Sequence, residues 1–123
     1  MTRSTLCKTL AGNKVDLITI TEKAPALEVA KRKGVVVTAR VHPGESNSSF
    51  VMKGLLDLLT SEDNKEAELL RKNFVFKLVP MINVDGVIYG NYRTSLSGID
   101  LNRTWKMTDG ILFPEVAALK KMI

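Results

Sequence analysis

Histidine is nearly absent: the 123-residue chain has one, His42, and it has one cysteine, Cys7. A catalytic zinc usually takes three protein ligands, often two histidines and a glutamate. A lone histidine cannot complete that set, so a metal centre drawn from this sequence is at most partial. The single cysteine excludes an internal disulfide and suits a reducing compartment. No apolar run approaches the roughly 20 residues that span a bilayer. The opening MTRSTLCKTLAGNK has basic residues but lacks the apolar stretch of a secretory signal. The cytoplasm is therefore the expected location, with no membrane partner. Aromatics are also few, at one tryptophan, two tyrosines and four phenylalanines. They do not alternate with basic residues as a base-stacking surface requires, so nucleic acid is not an expected partner.

What is present suits one globular domain. Hydrophobic residues make up 45% and charged residues 25% of the chain, an ordinary balance for a length that can bury a core but not two. Eighteen Lys and Arg against thirteen Asp and Glu leave a net charge of +5, which admits an acidic partner. The run Lys31-Arg32-Lys33 just before Gly34 reads as a solvated connection.

The β-branched, partly alternating stretch from Val15 to Thr21 predicts a strand. Residues 23–33 predict an irregular connection, because Pro25 opposes a long helix. Gly34 to Val41 is almost continuously β-branched, as in a strand covered on both faces. From Ser46, possible N-caps precede Phe50, Val51, Leu55, Leu58 and Leu59 at helical spacing. A charged helix over 65–72 would turn Ala67, Leu69 and Leu70 inward, and a third strand runs from Asn73 to Asn83. Residues 84–106 have little periodicity and predict a long loop, the kind that tends to carry function. An amphipathic helix begins at Phe113, with Pro114 early in it. Strand–helix–strand order predicts an α/β fold with the second and third of these strands parallel.

The chemistry concentrates in three places. In H-P-G-E, Pro43 holds His42 extended and Gly44 allows a turn, so Glu45 can return beside His42 at the end of a buried strand. Ligands bind at that end of a strand in open α/β sheets. A histidine nitrogen and a carboxylate are two of the three ligands of a His₂Glu zinc site. H-x-x-E is by itself a common chance pairing. The other two clusters, Gly90-Asn91-Tyr92-Arg93 and Asp100-Leu101-Asn102-Arg103-Thr104-Trp105, both lie in the long loop. Each offers an arginine fork suited to a carboxylate or a developing oxyanion, or to pinning the loop through backbone carbonyls.

Together, HPGESNSSFVMKG, PMINVDGVIYGNYR and GIDLNRTW resemble the zinc metallocarboxypeptidases. The likeness is to their cytosolic carboxypeptidase branch, whose tubulin-modifying members remove glutamates from protein tails. The opening LCKTLAGNKVDLITIT resembles the start of that branch's catalytic domain. The resemblance implies an α/β fold with a central mixed sheet flanked by helices, the first half of a carboxypeptidase-like domain occupying residues 1–123. It implies Zn²⁺ held by His42 and Glu45, and Arg93 polarising the scissile carbonyl. Asn102 and Arg103 would grip the terminal carboxylate of a peptide or protein tail. The family's third zinc ligand and its catalytic glutamate would lie downstream of Ile123, leaving this chain alone inactive. Val84 stands where the family has proline in N-P-D-G, a change that Asp85-Gly86 should tolerate. Two rival readings are an aspartoacylase or succinylglutamate desuccinylase type of zinc amidohydrolase, which uses a similar H-x-x-E and D-L-N-R, and a non-catalytic truncated pseudoenzyme.

Overall fold

A polar hairpin, a strand–helix–strand crossover and a helical return make up the chain, whose computed structural model describes residues 1–107 and 109–123. Strands β1 (Thr2–Lys8) and β2 (Lys14–Ile20) pair antiparallel around a turn at Thr9–Asn13. A four-residue helix α1 (Ala26–Val29) follows Pro25, then strand β3 (Lys33–Thr38). Helices α2 (Asn47–Thr60) and α3 (Lys65–Asn73) carry the chain to β4 (Phe74–Val79). The sheet order is β1-β2-β4-β3, with β2–β4 antiparallel and β3–β4 parallel. The mixed sheet and its one parallel pair agree with expectation. β1 is an addition, since its mostly polar stretch TRSTLCK has no apolar alternation to announce a strand.

Neighbouring residues of β4 serve different cores, as strand geometry requires. Leu78 packs with Ile20, Ala39, Met52, Leu59 and Phe76. Val79 packs with Val15, Ile82, Leu101, Phe113, Val116 and Leu119. Helices α2 and α3 cover the first cluster, and α5 (Pro114–Met122) covers the second. β3 is less covered than its sequence suggests. It is an edge strand, so Val35 and Val37 pack inward while Val36 stays partly exposed.

The inward face of α2 also differs from expectation. Phe50 and Val51 are 74% and 73% exposed, and Leu58 is exposed too. Met52, Leu55, Leu56 and Leu59 form the buried stripe instead, spaced i, i+3, i+4, i+7. In α3, Ala67 and Leu70 face inward as expected but Leu69 is exposed. The Asn64 side chain caps α3 by accepting from the Ala67 N–H at 2.8 Å. Residues 84–106 are more ordered than predicted, containing a short helix α4 (Val84–Ile88) and a 3₁₀ turn (Leu101–Arg103). Elements this short complete too few turns to show a period. Val84 occupies the first position of α4, where proline is well accepted.

A buried acidic pair joins the hairpin to the helical return. Asp85 accepts from Thr9 Oγ1 at 2.6 Å, Ala11 N at 2.9 Å and Asn13 Nδ2 at 2.9 Å. Glu115, at the start of α5, is also buried. Burial first, then the Asp85 charge, push the Glu115 carboxyl above its ordinary 4.5, against its own backbone N–H. Burial and the Glu115 charge likewise push the Cys7 thiol up to about 11. A raised carboxyl pKa means the folded state holds its proton more tightly than the unfolded state. This contribution therefore lowers stability as pH rises from 4.5 through the folded value. Glu115→Gln removes that loss. Its melting temperature should exceed the parent's by a few degrees at pH 7 and converge with it near pH 4, as thermal melts across that range would show.

Candidate active site

β3 and β4 end side by side, and the segments that follow them are stitched together. Ala39 N donates to Val79 O, Ile82 N to Ala39 O and Asn83 N to Arg40 O, each at 3.0 Å. Beyond this edge the chain turns through His42-Pro43-Gly44-Glu45. Asn83 braces the turn's approach, donating from Nδ2 to Val41 O at 3.2 Å, while its Oδ1 caps α4 through the Gly86 N–H.

Gly44 is needed for closeness rather than for an unusual backbone angle, since it is not among the glycines at positive φ. Its N–H donates to Tyr92 O at 2.7 Å. A Cβ there would lie 2.4 Å from Tyr92 Cδ2 and 2.8 Å from Tyr92 O. The same contact ties the histidine turn to the loop that carries Arg93.

His42 is 7% exposed, with a carboxylate at each ring nitrogen. Nδ1 lies 3.0 Å from Glu45 Oε1, and Nε2 lies 3.0 Å from Asp100 Oδ1. Asp100 also accepts from Asn102 N at 2.8 Å and from Arg93 Nε at 2.9 Å, and Arg93 Nη2 lies in ion-pair contact at 2.9 Å. Burial works against ionising Asp100. The Asn102 N–H, His42 and Arg93 outweigh it and hold the carboxyl below its usual range. An ionised Asp100 can only accept at this contact, so Nε2–H donates to it, as a metal-binding histidine does to the carboxylate behind it. In the tautomer with the proton on Nε2, the Nδ1 lone pair faces the Glu45 oxygen, an arrangement that suits a cation between them.

Zinc fits that position. Two ligands of a tetrahedral ion with bonds of about 2.0–2.2 Å stand roughly 3.3–3.6 Å apart, so the 3.0 Å between Nδ1 and Oε1 would open by a few tenths of an ångström around the ion. Among the described residues, no group of three or more His, Cys, Asp and Glu side chains is arranged to hold a metal ion. The pair offers two candidate donors.

The remaining residues singled out in the sequence sit around this pair. Arg93 is brought to it directly through Asp100, which leaves Nη1 without a protein partner among the described residues. Asn102 and Arg103 lie on the 3₁₀ turn that Asp100 caps, and both are exposed. Asn102 Oδ1 accepts from Trp105 Nε1 at 3.0 Å. Arg103 makes no ion pair among the described residues. The sequence pattern assigns no functional role to Asp100 or Asn83. Asp100 had one available signal, an aspartate placed to cap the turn that starts at Leu101.

A family profile for zinc carboxypeptidase matches residues 1–113. The chain belongs to the zinc carboxypeptidase family. Within it, the cytosolic carboxypeptidases resemble this chain as expected. Cytosolic carboxypeptidase 2 of Xenopus tropicalis is 54% identical over 120 residues, 97% of this chain and 12% of that protein. Cytosolic carboxypeptidase 3 of Bos taurus is 52% identical over 118 residues, 96% of this chain and 12% of that protein. Among solved zinc carboxypeptidase relatives, a metallo-carboxypeptidase from Burkholderia cenocepacia superposes with a TM-score of 0.90 at 32% identity. That match covers 99% of this chain and 32% of the other. The chain spans about an eighth of the length of the curated relatives it matches.

Proposed function

We propose that residues 1–123 supply part of a zinc carboxypeptidase site that releases C-terminal residues, glutamate in particular, from acidic protein tails such as those of tubulin, in the cytoplasm. The observation that carries it is the junction at Asp100, which touches His42 on one side and Arg93 on the other. His42 Nδ1 and Glu45 would hold the zinc, as two of the three protein ligands that such a site takes. When bound, zinc supplies Lewis acidity toward water and a peptide carbonyl. Arg93, anchored by two of its nitrogens, directs its open edge at charge building on the carbonyl oxygen. Arg103 and Asn102 grip the terminal carboxylate, where a planar fork suits two oxygens better than a point charge does. The net charge of +5 favours an acidic substrate.

The test is release of terminal glutamate from tail peptides by the whole zinc-loaded protein, with C-terminally amidated peptides alongside. Free-acid peptides should be cut and amidated ones spared. Arg93→Ala should lower kcat about 10²–10³-fold. Equal cleavage of both peptides would refute the carboxylate grip, and release of acyl groups from small N-acyl amino acids instead would favour the amidohydrolase reading.

A further inference from the structure

Arg40 lies two residues before His42 and is the one non-glycine at positive φ, 52°, among the described residues. Such a conformation is strained and persists only where its surroundings over-determine it. Every polar group of Arg40 is engaged. Its N–H donates to Ser48 Oγ at 3.1 Å, and its carbonyl accepts from Asn83 N at 3.0 Å. The guanidinium folds back onto the turn. Nε and Nη2 donate to Pro43 O at 3.1 and 2.7 Å, and Nη1 donates to Ser49 Oγ at 3.0 Å.

These bonds close a ring from the end of β3, across the carbonyl between Pro43 and Gly44, to the first turn of α2. His42 and Glu45 stand at the ring's two shoulders. A lysine could not reproduce it, because one ammonium cannot present a flat fork to Pro43 O while also reaching Ser49.

We propose that Arg40 is a positioning residue for the metal-binding turn. Its left-handed backbone redirects the chain out of β3, and its guanidinium fixes the Pro43 carbonyl. Together these make His42 and Glu45 face a common point before a cation arrives. This rests on the assignment of His42 and Glu45 as zinc donors made under the proposed function.

The experiment uses the whole protein stripped of metal, titrated with zinc against a chromophoric chelator, with thermal melts of each metal-free variant. Arg40→Lys keeps the charge and loses the fork. Arg40→Gly relieves the backbone strain and loses the side chain. Both should bind zinc about 10–100-fold more weakly while melting within a few degrees of the parent. Ethylguanidinium should restore part of the affinity of Arg40→Gly but not of Arg40→Lys, whose side chain fills the space. His42→Ala separates the two layers of the argument. If it binds zinc like the parent, the donor assignment itself fails. If it loses zinc while both Arg40 variants stay within twofold of the parent, the positioning role alone is overturned. Weakened binding that only follows a collapsed melting temperature, without ethylguanidinium rescue, also overturns it.

Discussion

Replacing Asp100 with alanine is expected to weaken zinc binding by 10–100-fold in the whole protein and to lower kcat/KM at least as much. Asp100 joins three functions in one carboxylate. It holds the His42 ring by Nε2, anchors Arg93 by Nε and Nη2, and caps the turn that presents Asn102 and Arg103. A carboxylate behind a metal-binding histidine commonly accounts for a 10–100-fold difference in affinity or activity. Loss of the cap adds about 1 kcal/mol of local instability. Removing the anchor also frees Arg93 to leave the carbonyl position proposed for it, so kcat should suffer beyond what zinc occupancy explains. Asp100→Asn retains an acceptor for the Asn102 N–H but not the charge, and should fall between alanine and the parent. Zinc titration and steady-state kinetics at saturating zinc separate the two effects. Activity of Asp100→Ala within threefold of the parent would remove Asp100 from its joining role.

Gly86→Ala should be among the most destabilising single-methyl additions in this fold. A Cβ at Gly86 would lie 2.5 Å from Pro43 Cγ, 2.6 Å from Asn83 Oδ1 and 2.8 Å from Thr94 O. None of these can give way freely, since Asn83 is buried and its side-chain amide is hydrogen-bonded at both ends. One is the ring between the two proposed donors, one is the cap of α4, and one is backbone. Overpacking of this kind costs about 1–3 kcal/mol, and disturbing the Asn83 cap adds about 1 kcal/mol. A urea midpoint lower by about 1–2 M is the expected reading. Gly54→Ala, in α2 with nothing within 4 Å of its added Cβ, is the matched control and should be neutral or stabilising by up to about 1 kcal/mol. Equal midpoints for the two variants would show that the Gly86 environment yields. If Gly86→Ala folds at low temperature, its zinc affinity should also drop, because Pro43 must move and His42 with it.

Both predictions fall where local sequence patterns are silent. Asp100 lies 58 positions from His42, and Asp85 lies 76 from Thr9. No periodicity or short motif encodes an approach between such distant positions. Gly44 shows the limit from the other side. Its place in H-P-G-E points to a turn made without a Cβ penalty, yet the constraint on it is the neighbouring Tyr92, a residue of another loop. The helix faces shifted for a related reason. Phe50 and Val51 fit a helical stripe as well as Met52 and Leu56 do, and only contact with β4 and its neighbours selects between them.

The sequence by itself determined β2, β3, β4 and the positions of α2, α3 and α5, because β-branched runs, apolar periods and caps act within a few residues. It also placed the His42–Glu45 pair in one turn, because proline and glycine between them restrict the local chain. The tertiary structure alone decided that β1 pairs with β2, that Asp100 binds both His42 and Arg93, and that Asp85 and Glu115 are buried together. It also decided that Arg40 takes a left-handed backbone and closes over Pro43. The β1–β2 pairing is itself part of forming the sheet, and each of the others depends on free energy gained between segments that meet only once the sheet is in place.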